Sequence, residues 1–160
     1  MTKFILLSIL LFSFTGYGGT MEQKQKIETI FNDLRADNLS ILDNFYATDV
    51  EFVDPIGTHN GLDAVKKYYG GLYKNVTEIR FENIDIVSEG HKHVYVWKMV
   101  MKAKSLNKGK EVTLDGTSVI KFNSDDLVIY HRDYFDMHEF IYKHIPFVGW
   151  LTNKVNKRLK

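Results

Sequence analysis

Four stretches in the second half of the chain, 78–87, 93–104, 111–122 and 127–135, are rich in β-branched and aromatic residues. Short polar segments rich in turn-forming residues, SEGHK, SLNKGK and NSDD, are all that separates them. Links this short join strands that run in opposite directions, so the four should pair as an antiparallel meander. The first half reads differently. Ile27, Ile30, Phe31 and Leu34 recur at helical spacing after Met21, giving a helix of about fifteen residues that breaks at Asp37-Asn38. Leu39, Leu42, Phe45 and Tyr46 suggest a second, shorter helix, and Val50 to Val53 a short strand ended by Asp54-Pro55-Ile56-Gly57. From Gly61 to Tyr73 the helical period returns through Leu62, Val65, Tyr69 and Leu72. Helices first and a curved sheet afterwards make an α+β domain.

With 160 residues the chain can bury one substantial core. It has no cysteine, which excludes disulfides, thiol catalysis and zinc–thiolate centres. The net charge of +1 conceals an uneven distribution. Residues 19–142 hold 15 bases and 20 acids, whereas Lys143, Lys154, Lys157, Arg158 and Lys160 lie in a tail without a single acid. An acidic body gathers phosphates poorly, so nucleic acid is not the expected partner.

Three segments follow: a leader over 1–20, a domain over 21–142 and a basic tail over 143–160. The leader has one lysine, an apolar run from Phe4 to Phe14, and then the small-x-small site Gly16-Tyr17-Gly18. That is the plan of a secretory signal peptide cut after Gly18, which implies export. The alternative is a start at Met21, which implies a cytoplasmic protein. On either reading, residues 1–18 should pack against nothing in the domain.

Strand parity places the charges. Alternation puts Leu127, Ile129, His131, Asp133 and Phe135 on one face of the last strand, and Val112, Leu114, Gly116, Ser118, Ile120 and Phe122 on one face of the strand before. If these apolar faces look at the helices, Ser118, His131 and Asp133 point into one interior. Asp54, at a strand end, should face the same gap. Two acids beside one apolar cavity suit proton transfer. Trp97, Met99 and Met101 are expected to serve the core, a dimer interface or the wall of a flat ligand. His59 reads as a loop residue near Asp54. His91 and His93 alone do not make a metal site, so no metal or cofactor is expected.

The helices, the segment FVDPIGTHNGLDAVKKYY and the closing HRDYFD resemble the SnoaL-like members of the nuclear transport factor 2-like superfamily, over roughly residues 22–142. The resemblance implies a cone: a strongly curved antiparallel sheet wrapped around helices, with an apolar cavity inside. YATDVEFVDPIG is similar to the ketosteroid isomerase segment that carries the general base, implying that role for Asp54. HRDYFD is similar to the strand of limonene-1,2-epoxide hydrolase whose aspartate helps activate water, implying that role for Asp133. The isomerase's oxyanion tyrosine and protonated aspartate correspond to Ile30 or Phe31 and to Ser118. The hydrolase's arginine and second aspartate correspond to Lys98 and Val100. One acid of each scheme is therefore kept.

The resulting expectation is an acid–base enzyme of isomerase, cyclase or hydrolase type acting on a small apolar or lipid-like molecule. Asp54 is its general base, Asp133 a second acid–base group oriented by His131, Ser118 a hydrogen-bond donor, and Lys98 electrostatic support. The alternative is a non-catalytic binding module with the same cavity. A homodimer through the outer sheet face is expected. The tail should break near His144 to Pro146 and end in a separate helix with its bases opposite its apolar residues. That helix either caps the cone, joins a dimer, or touches a membrane peripherally through Phe147, Trp150 and Leu151.

Overall fold

The structure is a computed structural model that describes residues 18–158, so the expectation for the leader falls outside the described residues. Helix α1 (Gly18–Asp33) turns Ile27 and Phe31 into the interior, and Leu34 follows them there just beyond its end. Asn38 closes α1: its side chain accepts from the Arg35 amide at 2.6 Å and donates to the Asp33 carbonyl at 2.7 Å. Those bonds satisfy backbone groups that the ending helix leaves free.

The expected second helix is only a 3-10 turn, Leu39–Asn44. Tyr46 already belongs to strand β1 (Tyr46–Val53), which is twice as long as the apolar run Val50–Val53 suggested. A three-residue strand, β2 (Thr58–Asn60), then leads into α2 (Leu62–Tyr73). The expected meander follows as β3 (Val76–Glu89), β4 (Lys92–Ala103), β5 (Val112–Phe122) and β6 (Val128–Phe135). Helix α3 (Met137–Phe140) is capped by Asp136, whose side chain accepts from the His138 and Glu139 amides. A 3-10 turn, Tyr142–His144, leads to α4 (Pro146–Asn156), so the tail breaks where Pro146 requires.

The sheet order is β2-β1-β6-β5-β4-β3. The sheet is mixed, because β1 runs parallel to β6 while the other neighbours are antiparallel. The expected antiparallel sheet is thus found, with one parallel pair added. A parallel pair needs a long crossover; α2 and the β3–β5 meander supply it. The β6 parity also needs one correction. Phe122 pairs with Val128, but Lys121 pairs with Tyr130, leaving Ile129 as an extra residue. The bulge turns Val128 inward and Ile129 outward, then restores His131 to the interior.

Candidate functional site

Helices α1 and α2 and the inner face of the sheet enclose an apolar cavity. Aromatic and aliphatic groups dominate its wall, among them Phe31, Phe52, Trp97, Met99 and Leu114. Asp54, His131 and Asp133 face the same space, and Phe140 of α3 closes one side.

The sheet register explains how the two acids meet. Phe52 lies beside His131 and Val53 beside Arg132 in the parallel pair. Continued by one residue, that register sets Asp54 level with Asp133. Ser118 is the antiparallel partner of Asp133 on the other side.

Each carboxylate is held differently. Asp54 Oδ1 accepts from the Ile56 and Gly57 amides at 2.8 and 2.9 Å, closing the turn that Pro55 initiates. Its Oδ2 accepts from the Tyr68 hydroxyl. Both oxygens are thus engaged. At Asp133, Ser118 Oγ donates at 2.5 Å and His131 Nε2 at 2.9 Å, both to Oδ1. Oδ2 has no hydrogen-bond donor among the described residues, and its residue faces the cavity.

Behind these bonds lies a directed chain. Trp97 Nε1 donates to Ser118 Oγ at 2.9 Å, so the serine hydrogen is available to Asp133. With His131 Nε2 donating to the carboxylate, Nδ1 accepts from the Tyr46 hydroxyl at 2.6 Å. Ser118 and His131 are wholly buried, so both depend on this chain for polar partners.

Burial, foremost, pushes the Tyr46, Tyr69 and Tyr73 hydroxyls well above the usual phenol value of 10.0. Tyr68 is also pushed up, first by burial and then by its bond to Asp54. These phenols stay protonated at neutral pH and are confined to donating or accepting hydrogen bonds. Gly116 makes the indole's position possible. It lies opposite Trp97 in the register, and a Cβ there would come within 2.2 Å of the ring.

Ser118, His131 and Asp133 therefore come together as parity required, and Asp54 lines the same cavity from its strand end. Lys98 does not join them. It alternates with Trp97 along β4, faces outward, and lies 3.9 Å from Asp115 across the outer surface, which removes it as support from within the cavity. His59 is no solvated loop residue: its ring stacks on Tyr68 with centroids 4.0 Å apart, outside the cavity lining. The tyrosines are what the sequence reading missed. Tyr46 was absorbed into a helical pattern, and Tyr68 lay beside the apolar stripe of α2. The one available signal was the YYGGLY run, which puts Tyr68, Tyr69, Leu72 and Tyr73 along one broad helix face.

Comparison with known proteins agrees with this architecture. A family model described as the SnoaL-like domain matches residues 27–131. A nuclear transport factor 2-like protein of unknown function from Burkholderia pseudomallei aligns at TM-score 0.67 and 20% identity, covering 79% of this chain and 98% of its own. A protein provisionally named a SnoaL-like polyketide cyclase, from Jannaschia, aligns at TM-score 0.69 and 10% identity, covering 78% and 92%. TerC, co-crystallized with polyporic acid, aligns at TM-score 0.64 and 18% identity, covering 76% and 95%. No curated protein matches. At these identities the solved structures establish the fold alone, and the family match stops two residues short of Asp133. The chain belongs to the SnoaL-like domain family and has the nuclear transport factor 2-like, ketosteroid isomerase-like fold.

Proposed function

We propose that the protein is a cofactor-independent acid–base enzyme of isomerase, cyclase or hydrolase type, acting on a small apolar molecule held in the cavity. The observation that carries this reading is Asp133: a carboxylate with one oxygen fixed by two donors and the other turned to an apolar space. A fixed base within reach of an acidified C–H, or of a water beside the ligand, is the minimum for general-base catalysis. Asp133 takes the proton through Oδ2, and His131 and Ser118 hold its orientation.

Charge left on a ligand oxygen needs a donor. Tyr68 meets that need by turning from Asp54 to the ligand, its phenol kept protonated by burial and by the neighbouring acid. Asp54 and Tyr68 thus form the second acid–base element. Asp133, with its open oxygen, replaces Asp54 as the primary base, because Asp54 acts on a ligand only after Tyr68 departs. The aromatic walls favour a flat or lipid-like ligand. The names of the relatives, a polyketide cyclase and a protein crystallized with polyporic acid, point the same way.

The test begins with mass spectrometry of the molecule that co-purifies with the protein. Turnover of that molecule or its close analogues is then followed in the parent and in Asp133→Asn. Loss of turnover with retained binding supports the proposal. Unchanged turnover overturns the role of Asp133, and binding without turnover in the parent makes the protein a binding module.

A further inference from the structure

We propose that the outward face of α4 seats the protein peripherally on an anionic lipid surface. No described side chain of α4 lines the cavity. One side is pressed against the preceding 3-10 turn, where Gly149 is buried and a Cβ would come within 2.8 Å of the Lys143 carbonyl oxygen. The opposite side is open. Phe147, Trp150, Leu151 and Val155, spaced as neighbours on one helical stripe, are 71%, 58%, 46% and 52% exposed. A cluster of large apolar side chains left in water marks an interaction site.

Charge identifies the occupant. Lys154 shares the stripe rather than opposing it, with Nζ 5.1 Å from the centre of the Trp150 ring. Lys157 and Arg158 follow, and no acid occurs after Glu139. The expectation of bases segregated to the opposite side is therefore corrected, since the helix offers aromatics and cations together on its outward face. Residues 19–142 are net acidic, so an anionic surface repels the body and attracts the tail, fixing one orientation. Lysine and arginine stems reach past the buried rings to lipid phosphates. A protein partner for this face would need an acidic, apolar groove, whereas an anionic bilayer supplies both properties without shape matching. No helix among the described residues is long and apolar enough to cross a membrane, and this mode requires only contact with its surface.

The test uses the full chain and vesicles of phosphatidylglycerol with phosphatidylcholine, brominated in the acyl chains. Trp97 is buried and Trp150 exposed, so bromine quenching reports α4 itself, whatever residues 1–20 do. Trp150 should be quenched on anionic vesicles at low salt and released at high salt, with little effect from pure phosphatidylcholine. Lys154→Ala/Lys157→Ala/Arg158→Ala should need about 100-fold more lipid for the same quenching. Phe147→Ser/Leu151→Ser should abolish quenching at every lipid concentration, and neither variant should alter the thermal transition. Absence of quenching in the parent overturns the proposal, as does equal quenching in the base variant. A dimer that shields Trp150 in solution and dissociates in Phe147→Ser/Leu151→Ser also overturns it, by assigning the face to a second copy.

Discussion

Two fully buried histidines point inward from the same row of the sheet, His93 on β4 and His131 on β6, on either side of Ile120. His93 Nε2 donates to Gln23 Oε1 at 2.8 Å, and Ser88 Oγ bonds to its Nδ1 at 2.8 Å. Gln23 also reaches His91 and Asp126, tying the start of α1 to two turns of the sheet. That network also reaches a carboxylate, but Asp126 lies in a turn outside the cavity lining. The network of His131 ends on a carboxylate with an oxygen open to a cavity. Burial and hydrogen bonding are common to both histidines. A carboxylate oxygen without a donor beside the apolar cavity distinguishes the second, so burial of a polar residue does not by itself set one histidine apart from the other.

The contrast is sharpest in Asp133→Asn, which removes the proposed base and keeps the shape. Turnover should fall by about 10²- to 10⁴-fold, the usual contribution of a general base, with the thermal transition little moved. Steady-state kinetics beside a melting curve reads both. Next comes Gly116→Val. Its side chain meets the Trp97 indole, so Trp97 shifts, Ser118 loses its donor and Asp133 loses its register. Turnover should drop by up to about a hundredfold through misplacement alone, and stability by about 1–3 kcal/mol through overpacking. If Gly116→Val melts earlier but turns over normally, the Trp97–Ser118–Asp133 chain is not a positioning device.

On the other side of the comparison, His93→Ala should leave kcat unchanged and cost about 1–3 kcal/mol in denaturant unfolding, because buried Gln23 loses its partner. A loss of activity without a loss of stability would erase the distinction between the networks. Acid provides the gentlest probe. Burial, then Lys24 and His91, holds His93 below its ordinary 6.5. The unfolded chain therefore binds the proton first. Stability contributed by neutral His93 is complete above about pH 6.5 and declines as pH falls toward the folded value. Unfolding midpoints measured between pH 7 and 5 should fall with acid in the parent and fall less in His93→Gln.

Much of this was legible in the residues, for reasons that can be named. The four long alternating stretches had room for only one pairing pattern, and parity alone turned Ser118, His131 and Asp133 inward. Helical spacing located α1 and α2. Contacts set by distant partners were not legible. Nothing in Tyr46–Val53 announces a parallel neighbour eighty residues away, and β2 is too short to carry a periodic signal. The extra residue at Ile129 reverses a parity that local alternation had fixed. Tyr46 satisfied a helical pattern until β6 claimed it for a strand, where its hydroxyl became a partner of His131. Lys98 erred in the opposite direction: a correspondence to a related enzyme's arginine outweighed the parity that sends it outside.

The parallel union of β1 and β6 also has a temporal meaning. An emerging chain can wind α1 and α2 and zip β3 to β4 with Asp54 already in its turn and no site around it. Asp133 on β6 is made last, and it reaches the level of Asp54 only by closing the longest loop in the sheet. Contacts of this separation are the slow ones in folding. The pocket therefore does not exist in part: a chain cut short before β6 lacks His131, Asp133 and the wall they form.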